Sequence, residues 1–174
     1  MDHQSLPTVP VLNTARLTLR QLSVNDQAQI FTLRSDPKIN QYLDRPPCAT
    51  MDDARQFIHK IIESGALYWV ITITGDNTLV GTICLFGISE DNKKAETGYE
   101  VLTGYQGRGI MQEALSAVTG YAFGTLGLQK IAAFTHRDNH ASARLLEKRG
   151  FQLTGTTDAE NPALTGYCRR AQQN

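Results

Sequence analysis

The segment Gly104-Tyr105-Gln106-Gly107-Arg108-Gly109-Ile110-Met111 holds three glycines within six positions, directly after a run of strand periodicity and directly before one of helical periodicity. Glycine costs chain entropy on folding, so this density needs a reason. Consecutive N–H groups at a helix start, with the helix dipole behind them, bind a phosphate or diphosphate without a dedicated cation. Glycine at 107 and 109 lets an anion approach the backbone, and Arg108 adds positive charge at the rim. Two familiar phosphate loops do not fit. A dinucleotide fingerprint needs G-x-G-x-x-G in an early strand–helix unit, whereas the spacing here is Gly104-x-x-Gly107-x-Gly109 in mid-chain. A P-loop closes on G-K-[ST], and Gly109 is followed by Ile110 and Met111. The loop taken by itself is either an anion nest or a plain strand-to-helix turn.

The elements that must hold this loop follow from periodicity. Leu17, Leu19 and Leu22 are spaced for one face of a short strand with Arg16 and Arg20 at its ends, after a polar, proline-punctuated arm over residues 1–13 that is expected to be flexible. Asn25 or Asp26 caps a helix carrying Ile30, Phe31 and Leu33. The stretch DRPPCATMDD reads as a loop. Thr50 with Asp53 caps a second helix that lines up Phe57, Ile58, Ile61 and Ile62. LYWVITIT and TLVGTICLFGI form a hairpin about Gly75-Asp76-Asn77, and AETGYEVL adds a third neighbouring strand, with Trp69 and Tyr68 as core and edge residues. Behind the glycines, Met111, Ala114, Leu115, Val118, Tyr121 and Ala122 recur at helical spacing. KIAAFT, NHASARLLEKRG, FQLTGT and ALTGYCRR then read as strand, helix, strand, strand. An antiparallel meander followed by a strand–helix–strand unit predicts a mixed α/β sheet with helices on both faces.

Bulk properties exclude several classes. The 174 residues suit one domain over 1–174, and 17 basic against 17 acidic side chains give no net field for nucleic acid or an anionic membrane. No stretch has the apolar length of a bilayer span, and the N-terminus lacks a secretory pattern. Cys48, Cys84 and Cys168 are too scattered for a zinc site or a disulfide framework and read as reduced thiols of a cytoplasmic protein. His136 and His140 straddle a strand-to-helix boundary with no third ligand in register, so no metal is expected.

The segment QGRGIM resembles the diphosphate-binding loop of the GNAT superfamily of acetyl-CoA-dependent N-acetyltransferases, [QR]-x-x-G-x-[GA]. Gln106 and Gly109 match, and Met111 stands where Gly or Ala is usual. TARLTLRQL, AETGYEVLTGYQGRGIMQEAL and NHASARLLEKRGF, in that order, resemble the RimJ/RimL group, which includes ribosomal-protein N-terminal acetyltransferases. The resemblance implies a mixed, twisted sheet of about six or seven strands, opened between the fourth (ETGYEVL) and fifth (KIAAFT), into which the pantetheine arm of acetyl-CoA threads. It implies donor contacts from Val101, Leu102, Thr103, Gln106, Gly107, Arg108, Gly109, Ile110, Met111 and Gln112, and from Asn139 and Ser142 on the later helix. A homodimer is compatible with it.

Amide formation from a thioester needs a neutral amine, a donor for the developing oxyanion and a proton for the departing thiolate. Glu96, on the strand leading to the loop and on one face with Gly98 and Glu100, is a candidate base, or else a partner of Lys93 or Lys94. Glu160 in DAENP is a second candidate, by resemblance to enzymes with a glutamate in that loop. Many family members place a proton-donating tyrosine where Leu146 stands here; the resemblance gives Ser142 as the substitute acid, although Asn139 and Ser142 also read as helix caps. Tyr99 and Tyr105 either shape the acyl pocket or pack. No cysteine adjoins the motif, which favours direct transfer over an acyl-enzyme. The resemblance implies a primary amine as acceptor, on a protein N-terminus or a small molecule. The alternative is a non-catalytic acyl-CoA sensor on the same fold, motivated by Leu146 and Met111; a nucleotide-binding module is a weaker third.

Overall fold

A computed structural model describes residues 9–172. Residues 1–8 of the expected arm lie outside the described residues. The remainder of that arm is not free: Val9 is buried, and a two-residue strand β1 (Leu12–Asn13) pairs antiparallel with β2 (Leu17–Gln21). Then come α1 (Gln27–Ser35), α2 (Pro37–Asn40), α3 (Met51–Ser64), β3 (Leu67–Ile73), β4 (Gly81–Phe86) and β5 (Lys94–Val101). The second half holds α4 (Ile110–Gly124), β6 (Lys130–His136), α5 (His140–Lys148), β7 (Gln152–Thr157) and β8 (Leu164–Arg170).

The eight strands form one mixed sheet in the order β1-β2-β3-β4-β5-β6-β8-β7. The expected count of six or seven omits β1, so the strands expected as fourth and fifth are β5 and β6. Two residues carry no alternation, and β1 exists because β2 offers it an edge. The meander β3–β4–β5 is antiparallel as its turn residues require, and β5 meets β6 in the one parallel pairing among the described residues.

Each face buries its own cluster. Leu17, Leu19, Trp69, Ile71, Ile83 and Ile131 pack under α4 and α5, while Val70 and Leu79 pack under Ile30 and Leu33 of α1 and Ala54 and Ile58 of α3. Trp69 is fully buried and donates from Nε1 to the Pro10 carbonyl at 2.8 Å. Leu22 corrects its expected placement. Strand β2 ends at Gln21, and Leu22, an odd number of residues beyond Leu19, turns into the α1–α3 cluster.

Local capping explains where the helices begin. Thr50 and Asp53 exchange side-chain-to-backbone bonds of 3.1 and 3.0 Å, a capping box that starts α3 where the sequence predicts. Asp26 does not cap α1. It closes a capping box with Ser23 around a single 3-10 turn and takes a two-pronged ion pair from Arg20 at 2.7 and 3.0 Å. The short α2 is capped by Asp36 with Pro37 in its first position.

Candidate active site

Strands β5 and β6 pair only over Lys94–Glu96 and Lys130–Ala132, and beyond Glu96 they diverge. Ladder parity shows what the divergence leaves open. Leu102 donates to the Val80 carbonyl at 2.9 Å, so even-numbered residues of β5 bond to β4 and odd-numbered ones face the gap. The backbone groups of Thr97, Tyr99 and Val101 therefore line the opening. Of these, the Val101 carbonyl accepts from Gln106 Nε2 at 3.3 Å. Buried backbone polar groups require partners, so this edge suits an extended chain carrying amides.

The glycine segment sits at the mouth of the opening. Leu102 packs toward the α1–α3 cluster, and Thr103 enters a 3-10 turn and donates to Asp36 at 3.1 Å. Gly107 and Gly109 adopt φ of 75° and 74°, the left-handed region that disfavours a side chain. Arg108 stacks over Tyr105, 5.3 Å from guanidinium carbon to ring centroid. Gly109 is the N-cap of α4 and supplies no side-chain cap. Among the described residues, the N–H groups from Gly107 to Gln112 donate to no protein acceptor; the first bond of the helix runs from Glu113 to the Gly109 carbonyl at 3.1 Å. Such a row of free donors with a fifteen-residue helix behind it favours an anion. Ile110 and Met111 are both buried in the core beneath, so methionine fills the space beside the turn.

On the α4–α5 side of the sheet, the Tyr99 hydroxyl lies 2.7 Å from Ser142 Oγ. Asn139 caps α5 by accepting the Ser142 N–H at 3.2 Å, which fixes the turn that carries the serine. Burial pushes the Tyr99 hydroxyl up to about 12, against the opposing effect of its bond to Ser142, so the phenol stays protonated and can donate to the serine. The serine's own proton is then free for another acceptor. Leu146 is fully buried core.

On the opposite side lie the carboxylates. Glu100 is committed to an ion pair with Arg45, whose Nε donates to Asn40 at 2.9 Å, tying β5 to the segment after α2. Glu96, in the last parallel pair with β6, has no ion-pair partner among the described residues, Lys93 and Lys94 included. Partial burial, and then the negative charge of Asp158, hold its carboxyl above the ordinary value. Glu160 is exposed and donates its backbone N–H to Asp158 at 2.9 Å. Asp158 is thus the carboxylate of that loop whose charge acts on Glu96.

Cys84 on β4 packs beside Gly98, with its thiol donating to the Gly98 carbonyl at 3.5 Å. Burial pushes that thiol up to about 11, which makes it a poor nucleophile despite its position one strand from the opening. His136 accepts from the Asp138 N–H and packs on Tyr42 at 5.2 Å. Among the described residues, no group of three metal-ligating side chains comes together, and no helix is long and apolar enough to cross a membrane.

Sequence reasoning left Tyr99 between pocket and packing and did not single out Asp158 or Arg16. Strand parity does put Tyr99 opposite Glu96, but its partner Ser142 is 43 residues away.

Residues 16–152 match the family of acetyltransferase (GNAT) domains. The uncharacterized N-acetyltransferase YoaA of Bacillus subtilis (strain 168) is 35% identical over 84% of this chain and 85% of its own. The spermidine N(1)-acetyltransferase of Escherichia coli (strain K12) is 22% identical over 79% and 73%. Among solved structures, a GNAT-family acetyltransferase from Bacillus anthracis superposes with TM-score 0.83 at 24% identity, covering 92% of this chain and 98% of that one. RimL, a ribosomal L7/L12 alpha-N-protein acetyltransferase, gives 0.79 at 21% identity over 94% and 95%. The microcin C7 self-immunity acetyltransferase MccE, solved with acetyl-CoA and AMP, gives 0.77 at 21% over 91% and 94%. A domain match across most of the chain, on a mixed sheet opened between β5 and β6, places this protein in the GNAT family of acetyltransferases.

Proposed function

We propose that the whole chain works as one unit that moves an acetyl group from acetyl-CoA directly to a primary amine, with both substrates bound together. The observation that carries this reading is the meeting of two backbone surfaces: the odd-numbered edge of β5, where only the Val101 carbonyl has a side-chain partner among the described residues, and the free N–H groups at the start of α4. A diphosphate suits the second and a pantetheine amide chain suits the first. Val101 to Thr103 and Gln106 to Gln112 hold the donor, with Asn139 shaping the turn beyond. The amine approaches from the α1–α3 side and gives up its proton to Glu96, or to water held there. Its nitrogen bonds to the thioester carbon, the C–S bond breaks, and the thiolate takes the Ser142 proton, which Tyr99 replaces through their hydrogen bond. The proton collected by Glu96 leaves to solvent and one from solvent restores Tyr99, so the cycle closes with no net change on the protein. Glu160 is the alternative base, on the loop that Asp158 anchors. The RimL-like sequence pattern favours a peptide N-terminus as acceptor in a cytoplasmic setting, and the spermidine enzyme among the relatives points to polyamines as the other class.

Incubating the protein with acetyl-CoA and a panel of peptide N-termini and polyamines, while following free thiol, tests this. Amine-dependent thiol release at one or more acceptors is expected. Binding of acetyl-CoA with no release by any amine would instead establish a sensor.

A further inference from the structure

Arg16 precedes β2 and lies 92 residues from the glycine segment, yet it reaches that segment. Its Nη1 donates to the Arg108 carbonyl at 3.0 Å, and its Nε stands 3.3 Å from Glu113 Oε2 in the first turn of α4. The guanidinium thus bridges the last loop carbonyl and the helix that follows. A Cβ at Gly109 would sit in ordinary contact with Arg16, 3.4 Å from Nη2, so it is the left-handed φ of 74° that calls for glycine beside this contact.

A trans peptide directs its carbonyl and its N–H to opposite sides. The Arg108 carbonyl belongs to the same peptide unit as the Gly109 N–H. Fixing the carbonyl on Arg16 therefore turns the Gly109 N–H away from β2. A flip of this peptide changes only ψ of Arg108 and φ of Gly109, and glycine at 109 would otherwise allow it at low cost. We infer that Arg16 is a positioning residue for acetyl-CoA: it holds the 108–109 peptide in the orientation that presents the Gly109 N–H to the diphosphate, and Glu113 holds Arg16. This rests on the reading of the loop as the donor's diphosphate site. The ion pair itself is half-exposed and worth little to stability, so a purely structural staple is a poor account of its cost in ordered side chains.

The test compares acetylated forms of three carriers as donors, and the free carriers as ligands, in wild type and R16Q. Coenzyme A has diphosphate and 3′-phosphate, dephospho-CoA keeps only the diphosphate, and S-acetyl-pantetheine has neither. R16Q is expected to weaken CoA and dephospho-CoA equally, by about tenfold, the value of one well-placed hydrogen bond to a charged group. Its kcat/KM with S-acetyl-pantetheine should stay within about twofold of wild type. E113Q should move the same way by less. A loss for CoA but not dephospho-CoA would show direct contact with the 3′-phosphate and overturn the inference. Equal losses for all three donors would mark a structural role and overturn it too, as would no loss at all. A wild-type protein that binds no CoA would instead refute the donor-site reading beneath it.

Discussion

At the scale of single residues, Tyr99 and Ser142 share one hydrogen bond, and their effects on chemistry should share it as well. Ser142→Ala is expected to lower kcat about 10- to 100-fold while leaving the affinity for acetyl-CoA near wild type. Tyr99→Phe should lower kcat less, and the double variant should be no worse than Ser142→Ala alone, which a double-mutant cycle measures. Because the Tyr99 hydroxyl is pushed up to about 12, it should contribute no alkaline limb to the rate profile below pH 10 or so. Glu96 predicts the opposite end of that profile. A base works only when deprotonated, and burial plus Asp158 hold its proton on to higher pH. The acid limb of kcat/KM should therefore lie above the ordinary carboxylate range. Asp158→Asn removes the repelling charge and should move the limb to lower pH. Glu96→Gln should abolish it, and a limb that persists in that variant would assign the base elsewhere.

Helix starts and strand edges separate stability from function at the scale of elements. Thr50 only caps α3, so Thr50→Ala should cost about 1 kcal/mol in denaturant unfolding and leave turnover unchanged. Gly109→Ala should do more than destabilise. A left-handed φ costs a non-glycine residue about 1–2 kcal/mol, and relief of that strain would turn the 108–109 peptide, so CoA affinity should drop along with stability. These elements were legible in the sequence where their cause is local: the Thr50–Asp53 box, the Asn139 cap, the glycine-to-helix junction and the meander all lie within a few residues of their signals. What escaped is set by distant partners. β1 needs the edge of β2, Asp26 answers Arg20 rather than the helix after it, and Leu22 changes face because its strand has already ended. The site divides the same way, with its loop readable from spacing and its Tyr99–Ser142 and Arg16–Arg108 contacts readable only after folding.

At the scale of the whole molecule, the proposed reaction sets the two substrates against separate walls. The proposed donor surfaces belong to α4, α5 and the loop between β5 and α4, whereas α1, α3 and the segment around Arg45 cover the other face. Substitutions confined to the second group should change which amine is accepted without moving the dissociation constant for CoA, a separation that isothermal titration alongside an acceptor screen would measure. The join between β5 and β6 has a mechanical consequence. Two multi-stranded leaves meet along a spine of just three residue pairs, a narrow join for the interior of a sheet. A donor lying in the cleft would act as a clasp across both leaves. Amide hydrogen exchange at Lys130 and Ala132, whose N–H groups face β5, should then run faster than at Ile71 or Ile83 in the free protein and slow sharply once acetyl-CoA is added, so that the enzyme's rigidity is lent to it by the molecule it consumes.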